Sequence, residues 1–318
     1  MNERDQLGLR VLELLAEEWM VAVVQELARG AMRPAQLERN LPDVPHSVVN
    51  ERLRHLVDYE LVSYQHQPGT PPHAHSAGIP PQAHYSLTDA GRILLEVIAK
   101  ADRWGQTWCA QDERPRPAGA LAIKLIADYH TRSVMLLLSD GPLPTSELDR
   151  RVPDLGRSAL RRRLRELVLA GLLEQQEQGR ARRYELTSGS RHLALVAMLA
   201  GRWEWRCSRP EHPAPGRDLN NLLHLLAPVA SVPEPVAGIC QLHLDTGGAD
   251  DPDIYLAARG GHILALAGAP ATPPEVVGHA TPEAWCDALL LPGAPIMISG
   301  NRPLLVAVIG ALSTALLA

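Results

Sequence analysis

With 318 residues, 46% of them hydrophobic, and no run of about 18 apolar residues, the chain is expected to be a cytoplasmic, multi-domain globular protein without a membrane span. Its net charge of -5 is unevenly spread: 12 basic against 16 acidic residues over 1–119, 15 against 10 over 120–206, and 4 against 10 over 207–318. Only the middle third is basic, which points to a polyanion-binding surface there, since Lys and Arg beside phosphates gain by releasing condensed counterions.

In chain order, an apolar-periodic helix is predicted over Leu9 to Ala28, ending at Gly30, followed by a short helix at "PAQLERNL". After a Pro-containing turn, Ser47 is expected to cap a third helix, "SVVNERLRHLVDYELV". An apolar stretch and "YSLTDAGR" then pair as a hairpin, and a last helix runs to the tryptophans. The hairpin loop, "QHQPGTPPHAHSAGIPPQAH", is long and rich in Pro and His. His73 and His75 have no cysteine or adjacent carboxylate near them, so it reads as a loop and not a metal site.

The same order then recurs. At an offset of 111, Gly30, Leu37, Ser47, Arg52, Leu53, Arg54, Leu56, Val57 and Leu61 match Gly141, Leu148, Ser158, Arg163, Leu164, Arg165, Leu167, Val168 and Leu172. At an offset of 99, "YSLTDAGR" matches "YELTSGSR" and Arg103-Trp104 matches Arg202-Trp203, so one insertion lies between Tyr64 and Tyr85. The second copy thus predicts a helix over Leu121 to Leu138, a short helix at "TSELDRRV", and a third helix capped by Ser158. Three helices and a two-stranded wing make a winged helix-turn-helix.

After a Pro-rich linker, "RPEHPAPGR", the remainder turns acidic, Gly-rich and aliphatic. "GICQLHLDT", "DIYLAARGGHILALAG" and "APIMISGN" read as strands, "PEAWCDALL" as a helix capped by Thr281, and "RPLLVAVIGALSTALLA" as a closing helix. The expected fold class is therefore mainly α with small β wings, as a tandem winged helix-turn-helix, plus an α+β C-terminal domain. The domains expected are 1–112 with the enlarged wing, 113–208 rich in Arg, and 218–318.

The first copy resembles the HxlR family of bacterial transcription regulators, with MarR a more distant relative. The resemblance is carried by Trp19, Gly30, "AQLERNLPDVPHSVVNERLRHLVDYELV", "YSLTDAGR" and "RWGQTW". The second copy resembles it more loosely, and the C-terminal third resembles a sterol-carrier-protein-like domain through "YLAARGG", "TPEAWCDALLLPG" and "ISGNRPLLVAVIGAL". These resemblances imply double-stranded DNA as partner and a cavity for a hydrophobic small-molecule effector. A packed domain that only dimerises is the other reading of the C-terminal third. Family members often carry a redox-active cysteine near the N-terminus, whereas the first here is Cys109, and none of the four forms a CxxC pair.

On a helical wheel Leu160, Leu164, Leu167 and Val168 form the buried stripe, leaving Arg162 and Arg165 as groove-facing candidates. Arg157, Ser158 and Arg161 are expected on backbone phosphate, and Arg163, matched by Arg52, in a structural ion pair. Arg180, Arg182 and Arg183 of the second wing suit a minor groove. In the first copy Ser47, Asn50, Arg54 and His55 remain as polar candidates, but Glu51 stands where Arg162 does. That copy either binds DNA weakly, fixes geometry or contacts a partner. Two copies in one chain can imitate a two-fold dimer, so a monomer with pseudo-two-fold repeats and a homodimer both remain open. No cofactor, metal or catalytic motif is expected; "HLDTGG" lacks the surroundings of an aspartic protease half. The rival to a ligand-controlled regulator is a small-molecule-binding or sequestering protein on the same scaffold.

Overall fold

The computed structural model describes residues 9–65, 82–108, 118–139, 141–178, 181–207, 216–246, 253–266, 268–290 and 295–317. They fall into two compact units, one over Arg10–Thr107 with the helix that ends at Ala127, the other over Trp108 and the residues from Asp128 onward. The smaller unit contains α1 (Leu9–Ala16), α2 (Met20–Leu27), α3 (Pro34–Asn40), α4 (His46–Asp58), β1 (Val62–Gln65), β2 (His84–Leu87), α5 (Asp89–Trp108) and α6 (Ala118–Ala127). The larger continues with α7 (Tyr129–Leu137), β3 (Leu143–Pro144), α8 (Thr145–Arg151), α9 (Arg157–Leu169), β4 (Leu173–Gln178), β5 (Ala181–Leu186) and α10 (Ser188–Cys207).

Two helices expected to be continuous are broken. Trp19 takes a left-handed conformation (φ 69) between α1 and α2, and Asp128 an extended one (φ -75, ψ 120) between α6 and α7. Apolar spacing runs on through both breaks because the helices on either side bury residues of the same pattern, and periodicity alone therefore does not register them.

The hairpins follow one register. Val62 pairs with Leu87 and Tyr64 with Tyr85, just as Leu173 pairs with Leu186 and Gln175 with Tyr184. A third segment joins each hairpin: Met32 bridges Tyr85, and Leu143 of β3 bridges Tyr184. Thr88 Oγ1 donates to the Glu60 carbonyl at 2.8 Å and accepts from the Gly91 N–H. Thr187 Oγ1 does the same with the Gly171 carbonyl, at 2.8 Å, and the Ser190 N–H. Each threonine thus ties the turn after the third helix, where Glu60 and Gly171 are left-handed (φ 57 and 71), to the start of the following helix. Gly30 and Gly141, at φ 145 and 138, stop the second helix of each set in a conformation that L side chains rarely adopt.

The C-terminal part holds α11 (Gly216–Leu226), β6 (Gly238–Leu244), β7 (Asp253–Arg259), β8 (His262–Leu266), β9 (Val276–Ala280), α12 (Pro282–Leu290), β10 (Met297–Gly300) and α13 (Arg302–Leu317). The sheet order is β10-β9-β6-β7-β8, antiparallel throughout except for the parallel β6–β9 pair. Neither α11 nor β9 was expected from the sequence, while the Thr281 cap is present, its Oγ1 accepting from the Ala284 N–H. One face of the sheet buries Cys240, Leu242, Leu244, Ile254, Leu256 and Ile263 together with Trp285, Leu289, Val308 and Leu312 of the helices. Gly278 is required here, since a Cβ would lie 2.6 Å from the Trp285 ring, whose Nε1 donates to the His243 carbonyl. The sheet is fixed to α10 by Arg202, only 10% exposed, whose Nε lies 2.9 Å from Asp287 of α12. No described helix is long and apolar enough to cross a membrane.

Replacing Thr187 by Val keeps the shape but removes the hydroxyl that joins α10 to the turn after α9. Denaturant unfolding is expected to show a loss of about 1–2 kcal/mol, the worth of a cap; an unchanged midpoint would assign the tie no energy.

Candidate nucleic-acid interface

Helices α8 and α9 are joined by a tight turn, and Gly156, extended at φ -54 and ψ 152, directs the chain into α9. Leu148 of α8 and Leu160, Leu164 and Leu167 of α9 are wholly buried, and Val168 is half-buried, which anchors the predicted stripe. The opposite face carries Arg157, Ser158, Arg161, Arg162 and Arg165, all exposed. Arg161 and Arg165 make no ion pair among the described residues, and Arg162, with a side chain 75% exposed, approaches only Glu166, at 3.8 Å. These guanidiniums offer forked donors in the arrangement that reads guanine edges and phosphate.

Ser158 and Ser47 do not cap their helices as expected. Each helix begins two residues earlier than a serine cap would require, with Gly156 and Pro45 as the flanking residues and no side-chain cap. Both hydroxyls are exposed in the first helical turn. Arg157 leads α9 and holds Asp149 of α8 at 2.7 Å; in the same two positions His46 holds Glu38 at 2.7 Å.

Arg163 turns inward. Its Nη2 lies 2.9 Å from Asp128 Oδ2 and its Nη1 3.2 Å from Glu166. Arg52, its counterpart in α4, holds Glu17 at 2.8 Å. The shared structural ion pair expected from the repeat is therefore present in both places, and its acidic partners sit at the two helix breaks. The sequence reading missed these partners, although the 111-residue offset that aligns the arginines also aligns Glu17 with Asp128.

The wing arginines separate. Arg182 is exposed on β5 opposite Glu177, whereas Arg183 folds back so that its Nη2 donates to the Pro142 carbonyl at 2.8 Å. Arg180 lies outside the described residues, as do His73, His75 and Cys109. Arg150 and Arg151 on α8, which helical periodicity does not single out, are both exposed and both bound to Glu147.

The corresponding face of α4 is of mixed sign. Arg54 and Ser47 are exposed, but Asn50 Nδ2 is bound to His46, and His55 Nδ1 lies 2.9 Å from Glu17 beside Arg52. His55 is thus drawn inward while Glu51 stays exposed.

Burial governs the described thiols. It pushes Cys240 up to about 12, with Glu275 adding to the effect, raises Cys286 strongly, and raises Cys207 against the opposing charge of Arg206. Thiolate, the reactive form, is therefore scarce at all three.

A helix, turn and second helix with a basic outer face, followed by a hairpin, define a helix-turn-helix DNA-binding protein. The profile described as HxlR-like helix-turn-helix matches residues 14–113, and one described as a helix-turn-helix domain matches residues 126–176. The HTH-type transcriptional regulator sll1512 of Synechocystis is 30% identical over 102 residues, 32% of this chain and 69% of that protein. YvaP of Bacillus subtilis is 27% identical over 99 residues, 31% of this chain and 83% of that protein. The Mycobacterium tuberculosis regulator MT3179 is 35% identical over 109 residues, 33% of this chain and 61% of that protein. The chain belongs to the HxlR-like helix-turn-helix family, whose members here are named as transcriptional regulators and not as enzymes. Among solved structures, the sec-alkylsulfatase Pisa1 from Pseudomonas sp. aligns with 72% of this chain and 46% of its own at 13% identity and a TM-score of 0.26, too low to carry a comparison.

The state of the thiols yields a direct check. In the native protein Cys240 and Cys286 are expected to resist iodoacetamide at mildly alkaline pH and to react once guanidinium unfolds the chain; native labelling at either, seen by mass spectrometry, would contradict their burial.

Proposed function

We propose that the chain is a cytoplasmic transcription regulator that binds double-stranded DNA through two winged-helix units of unequal strength. The observation that carries this reading is the exposed arginine face on α9, set over a fully buried leucine stripe. In this reading Arg162 and Arg165 enter the major groove, Arg161, Arg157 and Ser158 meet phosphate, and Arg182, with Arg180 beyond the described residues, follows the adjacent groove. Arg183 supports the wing through its hydrogen bond to the Pro142 carbonyl. The winged helix within 113–208 anchors the site, and that within 1–112 sets register through Ser47, Asn50 and Arg54, with His55 acting through Glu17. Two unlike units on one chain read an asymmetric site, and a monomer suffices for it.

The C-terminal unit of 218–318 is the proposed regulatory part. Its sequence resemblance to sterol-carrier-like domains favours an apolar effector. Its attachment to α10 through Arg202 and Asp287 supplies a mechanical connection to the second wing. An effector acts only if its affinity differs between the binding and non-binding arrangements.

The test is DNA binding measured over a series of salt concentrations. Arg162→Ala and Arg165→Ala are each expected to cost about 1–3 kcal/mol on the preferred site, and Arg161→Ala to lower the salt slope by about one. A salt-independent response in the wild type, or full affinity in the double variant, would overturn the assignment.

A further inference from the structure

We propose that Asp128 and Arg163 are positioning residues for DNA recognition: they set the roll of α9 about its axis, and so which arginines face the groove. The inference rests on the DNA-binding reading above.

The two oxygens of Asp128 do different things. Oδ1 accepts from the Thr131 N–H at 2.7 Å and from Thr131 Oγ1 at 2.8 Å, closing the first turn of α7. Oδ2 accepts from Arg163 Nη2 at 2.9 Å. Thr131 is wholly buried, so the carboxylate is held at a fixed point from below while it holds α9 from above. Apart from the Arg157–Asp149 bond at its first turn, the remaining anchors of α9 are Leu160, Leu164 and Leu167 with the half-buried Val168, and apolar contacts are non-directional. They keep the helix against the core without fixing the direction of any one bond. A charge-assisted hydrogen bond has direction as well as strength.

Arg161, Arg162 and Arg165 flank Arg163 on the same two turns, so any roll that Arg163 permits is transmitted to them at once. With side chains 27% and 29% exposed, the pair adds little to stability. Its value lies in aim. The smaller unit repeats the device: Arg52 Nη1 lies 2.8 Å from Glu17, and Arg52 Nε donates to the Glu18 carbonyl at 2.9 Å. The two breaks differ in backbone, left-handed at Trp19 and extended at Asp128, yet the acid-to-arginine contact is common to both.

Asp128→Asn separates positioning from charge. It keeps an oxygen for Thr131, removes the carboxylate that ties Arg163 to α7 while leaving Glu166 on α9 itself, and makes the protein more positive. If α9 were simply a basic surface, affinity for every duplex would rise. Affinity for the tightest duplex selected from a random DNA pool is expected instead to fall about tenfold, the worth of one well-aimed base contact, while affinity for a shuffled duplex holds or rises. Arg163→Gln is expected to lose selected-duplex affinity beyond its loss on the shuffled one, with little further loss in the double variant. Arg163→Lys, which still reaches one carboxylate oxygen, is expected to recover part of the selectivity. Melting followed by circular dichroism accompanies each variant. Full or increased selected-duplex affinity in Asp128→Asn would overturn the proposal, as would parallel losses on both duplexes that track the melting temperature. Absence of salt-dependent binding by the wild type would instead overturn the DNA-binding reading itself, and this inference with it.

Discussion

In both helix-turn-helix regions an acidic side chain at the break between two helices holds the arginine in the middle of the third: Glu17 with Arg52, and Asp128 with Arg163. Apolar side chains bury the inner side of α4 and α9, and their contacts carry no bond direction. The ion pair adds a directed bond from each helix to the acid at the break. A second contact, Glu38 with His46 and Asp149 with Arg157, ties the start of each helix to the one before it. These two contacts lie behind the residues displayed on the outer faces.

On that common frame the two regions present different faces, basic on α9 and of mixed sign on α4. Position for position, α9 shows Arg161 and Arg162 where α4 shows Asn50 and Glu51. The third member of the inner cluster also differs, His55 in one place and Glu166 in the other. His55 joins Arg52 on Glu17, whereas Glu166 joins Asp128 on Arg163. Glu166 thereby spends its charge on the inward arginine and lies only loosely against Arg162. The outward arginines remain available to an anionic partner.

The C-terminal sheet is part of the same compact unit as α9, and its inner face is filled by Trp285 and the helix leucines. Its junction with α10 centres on Arg202, the counterpart of the exposed Arg103 in the first copy. Both arginines precede a buried tryptophan, Trp104 or Trp203. One repeated Arg-Trp pair is thus used twice, for solvent in one place and for domain attachment to Asp287 in the other.

Much of this was legible in the sequence because it is local. The stripe of Leu160, Leu164 and Leu167, the stops at Gly30 and Gly141, the hairpin signal in "YSLT" and "YELT", and the Thr281 cap all follow from residues within a few positions of one another. The self-match at an offset of 111 further marked Arg52 and Arg163 as structural. What the tertiary structure alone decided is non-local: the breaks at Trp19 and Asp128, the inward turn of His55 and Arg183, the insertion of β9 beside β6, and the acids that receive the arginines. A helix break leaves apolar spacing intact, and an arginine carries the same charge whether it faces solvent or a carboxylate 35 residues away in the chain. The sequence determined which side chains exist on each face; only packing between distant elements determined which of them are spent on holding the protein together and which are left to meet a partner.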